Sequence, residues 1–204
     1  MTIAFDGRKA ACDTAESGRA ARMAIMAVAR RCPECRIHIY VSRKKDYPLL
    51  GELLALDNVV LCYPEHSVLR FCPFLWRRHG IAAELRHRMP DIYHGLDGEL
   101  PEGVSGIPGL ACAVTVSDLV FLSSPYGFSW FQRHRNNILV RRACLSSSRI
   151  FAPSQAVAAD IVKYYFIPKG KITVLPVLSG TGGTGIEPLG DRLAAVYEEI
   201  RQVR

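Results

Sequence analysis

Short runs rich in apolar and β-branched residues recur along the chain: TIAFD (2–6), RIHIYV (36–41), residues 58–62, DIYH (91–94), ACAVTV (111–116), RIFAPS (149–154) and KITVLP (171–176). Most are separated by enough sequence for a helix. A strand that returns to its own sheet through a helix pairs in parallel, because the crossover brings the chain back to the same edge and covers one face. The pattern predicts an α/β fold with a mostly parallel open sheet of about seven strands and helices on both faces. Ligands of such sheets gather at the carboxyl ends of the strands, where loops and helix N-termini present backbone N–H groups. That rule singles out Gly7 to Gly18, His94 to Glu99, Ser117 to Tyr126, and Pro153 to Gln155.

Two helices are legible in detail. Ser154 is a good N-cap for QAVAADIVKYYF, and Val157, Ile161, Val162 and Tyr165 then fall on one face. Near the end, EPLGDRLAAVYEEIRQVR places Pro188 in a first turn and spaces Leu189, Leu193, Val196 and Ile200 along one side. Glu187 and Asp191 at its start and Arg201 and Arg204 at its end suit the helix dipole. Such a one-sided helix needs a surface to cover. It follows the run Gly180-Thr181-Gly182-Gly183-Thr184-Gly185, which cannot bury apolar surface and reads as a tether. The predicted organisation is a domain over 1–177, a Gly/Thr linker over 178–186 and a helix over 187–204 that docks back on the domain. So short a tether requires docking close to where residue 177 leaves the sheet.

Composition narrows the class. A chain of 204 residues with 49% hydrophobic and 22% charged residues suits one domain with a substantial core. No stretch is long and apolar enough to span a membrane, and the first residues lack the order of a signal peptide, so a cytoplasmic protein is expected. Seven scattered cysteines read as reduced, buried thiols. The net charge of +7 favours anionic partners without choosing among them.

Several motifs are suggestive. The CPEC stretch (32–35) follows a helical run and precedes a strand, and no second pair completes a zinc site, so it reads as a turn. No metal or cofactor is expected. The stretch after the first strand has only Gly7 and Gly18, so the G-x-G-x-x-G fingerprint is absent there, and no Walker loop is present. Gly18, at the expected start of a helix, could admit a phosphate to backbone amides or serve close packing. Residues 68–90 mix aromatics with Arg70, Arg77, Arg78, Arg86 and Arg88, which suits either an amphipathic helix with a solvated basic face or contact with an anionic membrane surface. No nucleic-acid module is recognisable, and no nucleic-acid partner is expected.

From Met1 to about Val177 the chain resembles the N-terminal half of a family 4 glycosyltransferase, a retaining enzyme of the two-domain GT-B fold. The resemblance is carried in order by IAFDGRKA, SGRAAR, DIYHGLDGELP, AVTVSDLVFLSSPYGFSWFQR and RRACLSSSRIFAPSQAVAADIVKYYFIPKGKITVLP. It implies a Rossmann-like domain that holds the acceptor, a saccharide or lipid, while a second domain holds most of the nucleotide sugar. It also implies Gly18 and Arg22 near donor phosphate, and His94, Glu99, Ser117 and Asp118 along the acceptor cleft. His94 could equally be a satisfied histidine at a strand end, and Asp118 could cap a helix or fix its loop. Nothing after Val177 resembles the second domain, whereas the last segment resembles the helix that crosses back from it. The resemblance thus implies an engineered deletion bridged by GTGGTG, leaving an acceptor-side half that is not expected to catalyse alone. A non-enzymatic scaffold and a peripheral membrane module are the rival readings. Two departures count against donor binding: Ser117 stands where the family often has histidine, and Glu16 where a second glycine is usual.

Overall fold

The computed structural model describes residues 1–64, 71–124, 127–175 and 186–202. The linker expected at 178–186, apart from Ile186, which opens the last helix, the domain boundary at 177, and the side chains of Arg70, Tyr126 and Arg204 lie outside these residues. Seven parallel strands form one sheet in the order β3-β2-β1-β4-β5-β6-β7. They are β1 (Thr2–Asp6), β2 (Arg36–Tyr40), β3 (Val59–Cys62), β4 (Ile92–Gly95), β5 (Ala111–Thr115), β6 (Arg149–Ala152) and β7 (Ile172–Val174). The order reverses between β1 and β4, which pair Ile3 with Ile92 and Phe5 with His94. A Rossmann-like sheet opens a crevice at such a reversal, beyond the carboxyl ends of the strands.

Strand periodicity divides the core in two. Ile3, Phe5, Ile37, Ile39, Ala111, Ala113 and Phe151 point to one face, while Ala4, Tyr40, Tyr93, Cys112, Val114, Ile150 and Ala152 point to the other. Both faces are covered, so the central strands read as continuous apolar runs instead of alternating ones. The first face carries α1 (Arg8–Cys12), α2 (Glu16–Arg31), α3 (Gly51–Leu54) and α9 (Ile186–Gln202). The second carries α5 (Ile81–Arg88), α7 (Trp130–Ser146) and α8 (Gln155–Tyr165). Ahead of α5, α4 (Pro73–Leu75) runs into a π-helical turn at Trp76–Gly80. The short α6 (Val120–Ser123) precedes α7.

Local signals explain the boundaries. Ser154 accepts a hydrogen bond from the Val157 N–H at 3.2 Å and starts α8. Ser129 and Gln132 form a reciprocal capping box at the start of α7. Helix α2 begins at Glu16, two residues before the expected start at Gly18, because Asp13 accepts the Ala15 N–H at 2.8 Å and sets the first turn earlier.

Helix α9 packs on α2 and the sheet. Leu189, Leu193, Tyr197 and Ile200 are buried in the same cluster as Leu175 and the α2 side chains. Gly190 allows close approach: a Cβ there would lie 2.5 Å from the Ala27 carbonyl oxygen of α2. Arg31 pairs with Asp191, and Arg149 with Glu199, at the edges of this contact. Val196, expected in the buried row, is only partly buried, and Tyr197 occupies the centre of the contact.

Candidate functional site

The site lies at the carboxyl edge of the central strands. Asp6 ends β1 and is nearly enclosed. Arg77, projecting from the π-helical turn, donates from Nε and Nη2 to Asp6 Oδ2, each at 2.9 Å, and meets Glu99 Oε2 at 2.7 Å. Arg8 pairs with Asp97, and Lys9 lies 3.5 Å from Asp97 and 3.3 Å from Asp13. Burial alone would pull the Arg77 guanidinium down, but Asp6 and Glu99 outweigh it and hold the group charged. Arg8 is lowered by burial and by its neighbour Arg77. Below this cluster, Glu102 accepts from Arg78 and Arg142, which hold its carboxyl down at about 2.

A cavity of about 280 Å³ opens beside this network. That is close to the roughly 300–1,000 Å³ range of small-molecule sites. Its walls include Arg8, Asp97, Glu99, Ser117, Asp118 and Arg135. Phe121 and Phe128 supply an apolar side. Carboxylates and guanidinium groups already fixed by one another offer a polyol several oriented acceptors and donors, and the aromatic pair gives its ring a flat apolar support. The arrangement can position a substrate.

Three of the sequence-predicted residues, Glu99, Ser117 and Asp118, therefore share this cavity. Each carboxylate already has a structural partner: Glu99 holds Arg77, and Asp118 Oδ1 accepts the Val120 N–H at 3.0 Å, fixing the loop before α6.

His94 is elsewhere. It was expected along the cleft, but it points to the opposite side of β4 and is completely enclosed among Phe5, Phe151 and Tyr197. Its Nδ1 lies 2.6 Å from Tyr197 Oη and its Nε2 2.8 Å from Thr115 Oγ1. Burial lowers its pKa to about 3, so the ring is neutral. It joins α9 to the sheet and is out of reach of a substrate.

Gly18 and Arg22 also serve local structure. A Cβ on Gly18 would lie 1.9 Å from the Asp13 carbonyl oxygen, so glycine is needed for the loop to cross the helix. Arg22 donates from Nη1 to the carbonyls of Ala10 and Asp13, both at 2.9 Å. Asp13 accepts from Ser17 Oγ at 2.6 Å, and this bond, the Ala15 N–H and Lys9 lower its carboxyl to about 2. The neighbouring recess between Ser17, Leu96, Thr115, Ser117 and Pro153 has a volume of only about 10 Å³, scarcely room for one water.

The sequence placed Arg8 and Asp97 within the strand-end loops and Arg77 in a basic run without assigning any of them to the site, and it missed Asp6 and Arg135. Asp6 and Arg8 flank the turn after the first strand, a visible signal, whereas Arg77 was hidden inside a basic run. The CPEC segment forms the turn between α2 and β2, at the opposite edge of the sheet from the cavity. Its Cys32, Glu34 and Cys35 ligand atoms lie within 4.8 Å of one another. Burial raises both thiols, that of Cys35 to about 11, and keeps them protonated.

Among solved structures, a glycosyltransferase from Rickettsia africae ESF-5 is similar, with a TM-score of 0.49 and 15% sequence identity. The match covers 85% of this chain and 42% of that one, so this chain spans less than half the length of that protein. No curated protein matches the sequence. No helix among the described residues is long and apolar enough to cross a membrane. The family profile of Glycosyltransferase Family 4 matches residues 23–177. That span runs from the middle of α2 past β7 and contains Glu99, Ser117 and Asp118; by this match the chain belongs to glycosyltransferase family 4.

Proposed function

We propose that this chain is the acceptor-side half of a retaining, nucleotide-sugar-dependent glycosyltransferase, and that it is inactive in isolation. The observation that carries the reading is the 280 Å³ cavity at the strand ends, in which Glu99, Ser117 and Asp118 meet Arg8, Asp97 and Arg135. Its role is to hold and orient an acceptor hydroxyl, a contribution of positioning that does not require a strong base on this domain. The acceptor is a saccharide or a lipid. The donor is a nucleotide sugar whose phosphates are held mainly by a second domain.

The filled space around Gly18 supports the inactivity. A diphosphate approaching the start of α2 meets Glu16 and the Asp13 carboxylate, with a recess of about 10 Å³ to occupy. Both carboxylates carry the same sign of charge as a diphosphate and repel it. The same observation favours a second reading, a scaffold that binds neither substrate. Calorimetric titration separates the two. Saccharide binding that weakens in Asp118→Asn, without heat from UDP, GDP or their sugars, supports the acceptor half. Silence toward saccharides and nucleotides alike from a cooperatively melting protein supports the scaffold, and micromolar nucleotide-sugar binding contradicts both.

A further inference from the structure

Helix α7 contains Arg133, Arg135, Arg141 and Arg142 and no acidic residue. None of residues 130–139 is buried. Trp130, Phe131 and Ile138 are 77%, 69% and 51% exposed, and Phe131 and Ile138 are seven residues apart on one stripe of the helix. The Trp130 ring stacks on His134 with centroids 5.5 Å apart and planes 7° from parallel. Across the adjoining groove, α4 exposes Phe74 and Leu75, and Phe74 lines the same cavity as Arg135, Leu139 and Arg142. Arg135 and Arg141 have no ion-pair partner among the described residues.

Exposed aromatic and aliphatic side chains grouped on one rim mark a contact surface. Tryptophan favours the headgroup level of a bilayer, and unpaired arginines beside it favour anionic lipid. Other occupants fit less well. A second copy would bring one acid-free helix against another, and a nucleic acid would satisfy the arginines while leaving Ile138 and Phe131 without an acyl region to enter. We propose that the rim formed by α4 and α7 docks on an anionic lipid bilayer, with Trp130 and Phe131 at headgroup depth and Arg135 and Arg141 beside lipid phosphates. This contact does not depend on the glycosyltransferase reading, and it places the mouth of the adjoining groove next to the membrane.

The chain's two tryptophans make the test direct, because Trp76 is 1% exposed and Trp130 is 77% exposed. The protein is mixed with vesicles of phosphatidylcholine, or of phosphatidylcholine and phosphatidylglycerol, at low salt. The account expects co-sedimentation only with the anionic vesicles, release as salt rises, and quenching of Trp130 when the acyl chains are brominated. The double variant Trp130→Ser/Phe131→Ser should melt like the wild type and bind about tenfold or more weakly. If that variant loses its cooperative melt, Ile138→Ser replaces it and should also weaken binding. Absence of binding to anionic vesicles, equal binding to both vesicles, or undiminished binding by the folded variant overturns the proposal. So does a dimer of the wild type in sedimentation velocity that the variant disperses, since a second copy would then cover the rim.

Discussion

Acidification should weaken the fold through His94, well before the paired carboxylates titrate. The ring is fully enclosed, both nitrogens are occupied by Tyr197 and Thr115, and burial lowers its pKa from 6.5 to about 3. Below pH 6.5 the unfolded chain therefore takes up a proton that the folded chain refuses, and stability is lost as pH falls between 6.5 and about 3. Moving from pH 7 to pH 5 crosses about 1.5 units of that window, at about 1.4 kcal/mol per unit, for a loss of about 2 kcal/mol. His38, lowered mainly by burial, adds in the same sense. Asp13 and Glu102, held down at about 2, contribute at more acid pH and leave this interval free. Urea denaturation at pH 7, 6 and 5 reads the effect as a fall of about 1 M in midpoint for an m-value of about 2 kcal/mol/M. His94→Gln, less stable at pH 7, should lose most of this slope. A wild-type midpoint that is flat from pH 7 to 5, or the same slope in the variant, would refute the assignment.

Three further outcomes follow from the packing. Arg77→Leu leaves the nearly buried Asp6 without its counter-charge and should cost about 3–5 kcal/mol, read from the same urea curves. Gly190→Ala drives a methyl group to 2.5 Å from the Ala27 carbonyl and should lower stability by about 1–3 kcal/mol, seen as a lower melting temperature. Removing residues 186–204 uncovers the face occupied by Leu189, Leu193, Tyr197 and Ile200, each contributing at most about 1.5–3 kcal/mol by burial; self-association in sedimentation velocity is expected, and a stable monomer would show that α9 contributes little.

The sheet was readable because each strand is a short apolar run bounded by helical sequence, and both faces of the central strands are covered. The site was readable only in part. Position after a strand marked Glu99, Ser117 and Asp118, but position cannot say which side of a strand a residue faces. His94 and Glu99 illustrate the difference: one falls in register with Phe5 inside the core, the other lies beyond the strand in the cleft. Arg77 was obscured because a single inward arginine resembles its solvated neighbours Arg78, Arg86 and Arg88 until Asp6 is brought beside it by a separation of 71 residues. Gly18 was left between phosphate access and close packing because the sequence does not reveal that the Asp13 backbone fills the space beside it.

Backbone amide shifts recorded by NMR while saccharides and then nucleotide sugars are added test the acceptor-half assignment most directly. The account predicts saccharide-dependent shifts at Asp97 to Glu99, Ser117, Asp118, Arg135 and Asn136, with residues 13–18 unmoved by UDP or GDP sugars. Nucleotide-sugar shifts centred on residues 13–18, with none at the cavity from any saccharide, would contradict it.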